Sequence, residues 1–172
     1  MYERFTDRAR KVMMLAHQDA LRRHATAIDT EHILLGLLEE GQGVAAHVLS
    51  GLGVDWESVA AALAARGLPY PPPPASDAPE ERPLSAWQWT AKAVRRFLGS
   101  RADKLPRTAE SNRLIECAMQ EARALGHNYV GTEHLLLGLL HQPNTLAAQL
   151  LVEQGLTLDG VRREVLGLLG HA

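Results

Sequence analysis

The run Thr30-Glu31-His32-Ile33-Leu34-Leu35-Gly36-Leu37-Leu38 returns 102 residues later as Thr132-Glu133-His134-Leu135-Leu136-Leu137-Gly138-Leu139-Leu140. The same offset aligns the chain without a gap from Thr6 with Thr108 to Ala64 with Leu166, and 17 of the paired positions are identical. Shared composition alone would give roughly a third of that number, so an internal duplication is the economical reading. A unit of about 60 residues is marginal by itself, because it buries only roughly 60% of its surface. The two copies are therefore expected to share one core, and the isolated chain to be a monomer.

Within each copy the apolar period is helical. Ala9, Val12, Met13, Ala16, Ala20 and Leu21 follow steps of three and four after Thr6, a good N-cap with Asp7 in the first turn. The second helix is expected from Thr30, as N-cap, to about Glu40, where Gly41 and Gly43 stop it. A third covers about 44–52, and a fourth runs from Asp55 to about Arg66. In the second copy Thr108, Thr132, Asn144 and Thr157 are the expected N-caps, with Pro143 marking a break between helices. The fold class is all-α: two pseudo-twofold four-helix repeats, at 1–66 and 107–172.

The segment between them, 67–106, differs in kind. Eight of the nine prolines fall between Leu68 and Arg107, including Pro71-Pro72-Pro73-Pro74, which predicts an extended linker at its start. Ser85-Ala86-Trp87-Gln88 then has the pattern of a capping box, and Trp87, Ala91, Val94, Phe97 and Leu98 share one face, predicting an amphipathic helix over about 86–98. Its basic residues, Arg95 and Arg96 among them, suit a partner or a membrane surface. Alternatively, Trp87 and Phe97 dock it onto the repeats.

Composition limits the function. With 46% apolar residues, 22% charged residues and a net charge of −2, the chain has no electrostatic signature for nucleic acid. No apolar run reaches the roughly 18 residues of a membrane span, so a membrane partner is not expected and the cytoplasm fits. The lone Cys117 falls at an apolar helical position and reads as a buried, inert thiol. No phosphate-binding loop, His-Glu-x-x-His, Cys-x-x-Cys or Gly-x-Ser-x-Gly is present. No enzyme, cofactor or metal is expected. His32 and His134, at equivalent positions, invite zinc, but no further ligands stand at readable spacing and a structural hydrogen-bonding role is favoured. Glu31 and Glu133 sit in the first turn of their helices. There a carboxylate either steadies the helix dipole by roughly 0.3–1 kcal/mol or receives a guanidinium bidentately. Backbone N–H groups of the same turn could hold an anion.

These residues, together with Phe5-Thr6-Asp7-Arg8-Ala9, Gly41-Gln42-Gly43-Val44-Ala45-Ala46 and Leu125-Gly126-His127-Asn128-Tyr129-Val130-Gly131, resemble the Clp N-terminal repeat domain, closest to the ClpC type. The resemblance covers about 120 residues. It implies an all-helical domain that, in the family, precedes the AAA+ ATPase rings of a protein unfoldase and does not hydrolyse ATP itself. Implied partners are a Clp AAA+ ATPase in cis or in trans, adaptor proteins and protein substrates. It also implies that Glu31 and Glu133, with Thr30 and Thr132 beside them, contribute to pockets for phosphorylated arginine, a degradation mark. The chain departs from the family in Arg23-His24-Ala25-Thr26 and Asp29 of the first copy, and in Ala109-Glu110-Ser111 and Pro143-Asn144-Thr145 of the second. It is expected to be an excised domain or a free-standing relative. The alternative is an interaction protein that works through Trp87, Arg95 and Arg96.

Overall fold

A computed structural model describes residues 3–68 and 105–170. Among the described residues there are eight helices and no strand: α1 (Asp7–Arg22), α2 (Thr30–Glu40), α3 (Val44–Gly51), α4 (Trp56–Ala65), α5 (Ala109–Ala124), α6 (Thr132–Leu140), α7 (Leu146–Glu153) and α8 (Leu158–Leu168). The helix expected over 86–98, with Trp87, Arg95 and Arg96, lies outside the described residues.

Four caps fall where the sequence puts them. The side chains of Thr6, Asp55, Thr108 and Thr157 each accept from the backbone N–H three residues on. The expected caps at Thr30, Thr132 and Asn144 are each one residue out, the actual caps being Asp29, Gly131 and Thr145. At the first two junctions the reason is histidine. His32 and His134 take the place of the glutamate of a capping box and accept the cap's N–H on Nδ1, at 2.9 Å in both copies. Threonine thereby becomes the first helical residue.

Helix α1 buries Ala9, Val12, Met13, Ala16 and Ala20, whereas Leu21, assigned to the same face by its spacing, is 46% exposed. Helices α2 and α6 are apolar on nearly every side, and they are buried accordingly, with Ile33, Leu34, Leu35, Leu135, Leu136, Leu137 and Leu139 fully enclosed. The glycine of each repeated motif sets how closely these helices approach their partners. A Cβ on Gly36 would lie 2.7 Å from the Val12 carbonyl oxygen, and one on Gly138 2.6 Å from that of Leu114. The pairs α1–α2 and α5–α6 cross backbone to backbone at those points.

The two repeats are joined crosswise. Thr6 N donates to Val130 O at 3.0 Å and Val130 N to Arg4 O at 2.7 Å; reciprocally, Ile28 N donates to Pro106 O at 2.8 Å and Thr108 N to Ile28 O at 3.0 Å. Third helices also pack across, α3 on α6 and α7 on α2. Each repeat completes the other. Fragments 1–68 and 105–172, produced separately, are therefore expected to show weak helical circular dichroism alone and to regain most of it on mixing. Two fragments that each melt cooperatively alone would contradict the shared core.

No single described helix is long and apolar enough to cross a membrane. Cys117 is half-buried instead of enclosed, and burial raises its thiol pKa, which keeps it a poor nucleophile.

Candidate functional site

Both Thr-Glu-His junctions open a central helix directly after a loop that pairs with the other repeat. Thr30 and Thr132 are 1% and 3% exposed. Thr132 Oγ1 accepts from Ala45 N of α3 at 3.3 Å, so that hydroxyl ties the repeats together. Its closeness leaves no room for a side chain on Gly43.

The histidines are structural in both copies. Because Nδ1 accepts from a backbone N–H, a neutral ring carries its proton on Nε2. Burial lowers the pKa of His32, and burial with the neighbouring His127 lowers that of His134 to about 4. In the second copy Nε2–H of His134 then donates to Nδ1 of His127 at 2.9 Å. The His127 ring stacks on Tyr129, with centroids 4.9 Å apart and planes 9° apart, and both meet His134 edge-on. His127 and Tyr129 were not among the residues singled out from sequence as site residues; their presence in the loop Leu125–Gly131 was the available signal.

His127, Glu133 and His134 offer ligand atoms within 4.8 Å of one another, a set not legible from spacing. The tautomer argues against a metal there. Nε2 of His134 could ligate only without its proton, while Nδ1 is already an acceptor, so the ring would have to be an imidazolate. The cluster is suited to a hydrogen-bond relay.

The two glutamates are the unusual members. Their side chains are 14% (Glu31) and 4% (Glu133) exposed, and each lies beside the neutral histidine that follows it. Burial raises Glu31 to a pKa of about 7, with Asp29 and Asp19 adding to the shift and its own backbone N–H and the charge of Arg23 opposing it. Burial raises Glu133 too, against the pull of its own backbone N–H, His127 and Thr132. Other buried carboxylates in the fold have arginine partners: Asp19 with Arg23 at 2.8 Å, Glu40 with Arg8 at 2.8 Å and Glu121 with Arg162 at 2.7 Å. Among the described residues no lysine or arginine pairs with Glu31 or Glu133. Burial also raises the Tyr129 hydroxyl, with the charge of Glu133 contributing.

The copies differ in the residue that precedes each motif. Asp29 accepts from Thr30 N at 2.7 Å and from Thr108 Oγ1, in the other repeat, at 3.1 Å. Gly131 has no side chain, and the Glu133 carboxylate lies over it, inside the space a Cβ would need. Elsewhere, an open cleft of about 470 Å³ is lined by Leu52, Leu156, Thr157, Val161, Arg163 and Glu164, none of them a candidate site residue from sequence.

The second helix of each repeat opens with Thr-Glu-His, and the family described as the Clp repeat (R) N-terminal domain matches the chain over residues 4–86 and 107–172. The chain belongs to this family. It is 38% identical over 173 residues to the negative regulator of genetic competence ClpC/MecB of Bacillus subtilis, a match that covers 99% of this chain and 18% of that protein. It is 40% identical over 170 residues to the ClpA homolog of the ATP-dependent Clp protease ATP-binding subunit of Guillardia theta, covering 99% and 18%. Thus the chain spans under a fifth of the length of these curated relatives. Among solved structures, the ClpD N-terminal domain of Arabidopsis thaliana matches with a TM-score of 0.64 at 21% identity, covering 99% of this chain and 97% of that one. The Hsp104 N-terminal domain of Candida albicans matches at 0.64 and 16%, covering 99% and 94%. Both show the same all-helical fold as this Clp domain.

Proposed function

We propose that this Clp domain is a non-catalytic recognition module of a Clp-type AAA+ unfoldase system, taking protein substrates and adaptors and delivering them to the ATPase in cis or in trans. Arginine phosphorylated on its guanidinium is the mark it reads, through Glu31 or Glu133. The observation that carries this reading is the contrast among buried carboxylates. Asp19, Glu40 and Glu121 form ion pairs with arginines, whereas among the described residues no arginine forms one with Glu31 or Glu133. A buried carboxylate without a cation is destabilising, so its retention at both copies of a duplicated motif suits a partner that arrives from outside. A guanidinium answers this need with two parallel N–H···O bonds. The first-turn N–H groups of the same helix suit the phosphate.

Titration of the chain with free phosphoarginine by calorimetry, with arginine and inorganic phosphate as controls, tests the reading. Saturable binding of phosphoarginine and little of either control is expected. Glu133→Gln should weaken binding by several-fold while the melting temperature stays level or rises, since the substitution removes a buried acid. Unchanged affinity in that variant would remove Glu133 from the site.

A further inference from the structure

We infer that the residue ahead of each Thr-Glu-His decides which junction accepts the ligand, Asp29 closing the first and Gly131 leaving the second open, so that one chain binds one phosphoarginine. The inference rests on the reading above and assigns its stoichiometry and location.

In the first junction the seat for an anion is already occupied. The Asp29 carboxylate caps α2, accepting from Thr30 N at 2.7 Å and from the backbone of the third helical residue. Thr108 Oγ1 holds it from the opposite repeat at 3.1 Å. A phosphate arriving there would have to displace a hydrogen-bonded carboxylate of its own sign. The negative charge of Asp29 also weighs against ionising Glu31.

The second junction is built differently at two points, the residue at the cap position and the aromatic pair beside it. With no side chain on Gly131, no group from the cap position covers the first-turn N–H groups of α6. Glu133, like Glu31, takes its own backbone N–H, but here the carboxylate lies over Gly131, where the first copy has the Asp29 side chain. Rotating that side chain outward toward a guanidinium would uncover the amide for the phosphate, so one movement presents both partners. Beside it stand the stacked rings of His127 and Tyr129, a flat π surface of the kind on which a guanidinium packs. At the offset of 102 residues their counterparts in the first copy are Ala25 and Ala27. The first junction therefore lacks both a cap position free of a carboxylate side chain and the aromatic wall.

Calorimetry with phosphoarginine on the intact chain, combined with amide chemical-shift mapping, tests this. One equivalent per chain is expected, with the shifts centred on residues 127–134. Gly131→Asp should lower affinity at least tenfold, and Asp29→Gly should add a second, weaker site. Stoichiometry and mapping on the unsubstituted chain stand even if Gly131→Asp fails to fold. Two equivalents per chain, or shifts centred on residues 29–33, would overturn this inference and leave phosphoarginine recognition intact. No saturable binding by the unsubstituted chain or by Asp29→Gly would overturn both.

Discussion

Gly138→Ala is expected to lower the unfolding free energy by about 3 kcal/mol, the upper end of what overpacking a well-packed interior costs. The new methyl group would stand 2.6 Å from the Leu114 carbonyl oxygen and 3.1 Å from Ala118 N, both backbone atoms of α5 that move only if the helix moves. Helix α6 is buried along its whole length, so it has little room to recoil. Gly36→Ala should behave alike, since its Cβ would meet Val12 O at 2.7 Å and Ala16 N at 3.2 Å. Gly167→Ala in α8 is the control. Nothing lies within 4 Å of its Cβ position, and the helix gains intrinsic propensity, so stability should hold or rise by up to about 1 kcal/mol. Urea denaturation of the three variants checks this. Equal effects at Gly138 and Gly167 would show that propensity, not close approach, governs the motif glycine.

Glu31→Gln is expected to stabilise the protein by about 2–3 kcal/mol at pH 8 and to change little below pH 5. Burial raises the Glu31 pKa from 4.5 to about 7, so the fold favours its neutral form. That preference contributes stability fully below pH 4.5 and loses it as pH rises through 7; at 1.36 kcal/mol per unit the loss reaches about 3 kcal/mol. Glutamine keeps the shape and never ionises. The variant's advantage should therefore open between pH 4.5 and 7 and level off above. Denaturation curves at pH 5, 6, 7 and 8 measure it, and a difference independent of pH would mean that Glu31 does not titrate there. In the second junction burial raises Glu133 in the same direction.

The duplication also frames how the two copies diverged. In both copies the motif's threonine is buried at the junction, its histidine accepts the N–H of the cap residue and its glycine marks the helix crossing. Around these fixed points the polar ties differ. Glu40 of the first copy is paired with Arg8 and takes Gly43 N at 2.7 Å. Its counterpart Gln142 instead donates to the Glu110 carbonyl at 3.1 Å. Such exchanges keep buried polar groups satisfied while the two junctions change character.

Local signals in the sequence determined the helices, because apolar period and capping side chains act within one or two turns. Val12, Met13 and Ala16 marked the buried face of α1, and Thr6, Asp55, Thr108 and Thr157 marked four helix starts. The 102-residue offset determined that two like units share a core. What the chain pattern could not give was set by contacts between residues far apart in sequence. Leu21 continues the apolar period of α1, yet the crosswise packing leaves it outside. Threonine looks like the cap of α2 and α6 until the histidine ring is seen to bond the residue before it. That Glu31 and Glu133 lack arginine partners while Asp19, Glu40 and Glu121 have them, and that His127 and Tyr129 stack beside only one of the two, was decided by tertiary structure. Charge pairing and stacking depend on which surfaces the two repeats bring together, and no spacing within a single repeat encodes that.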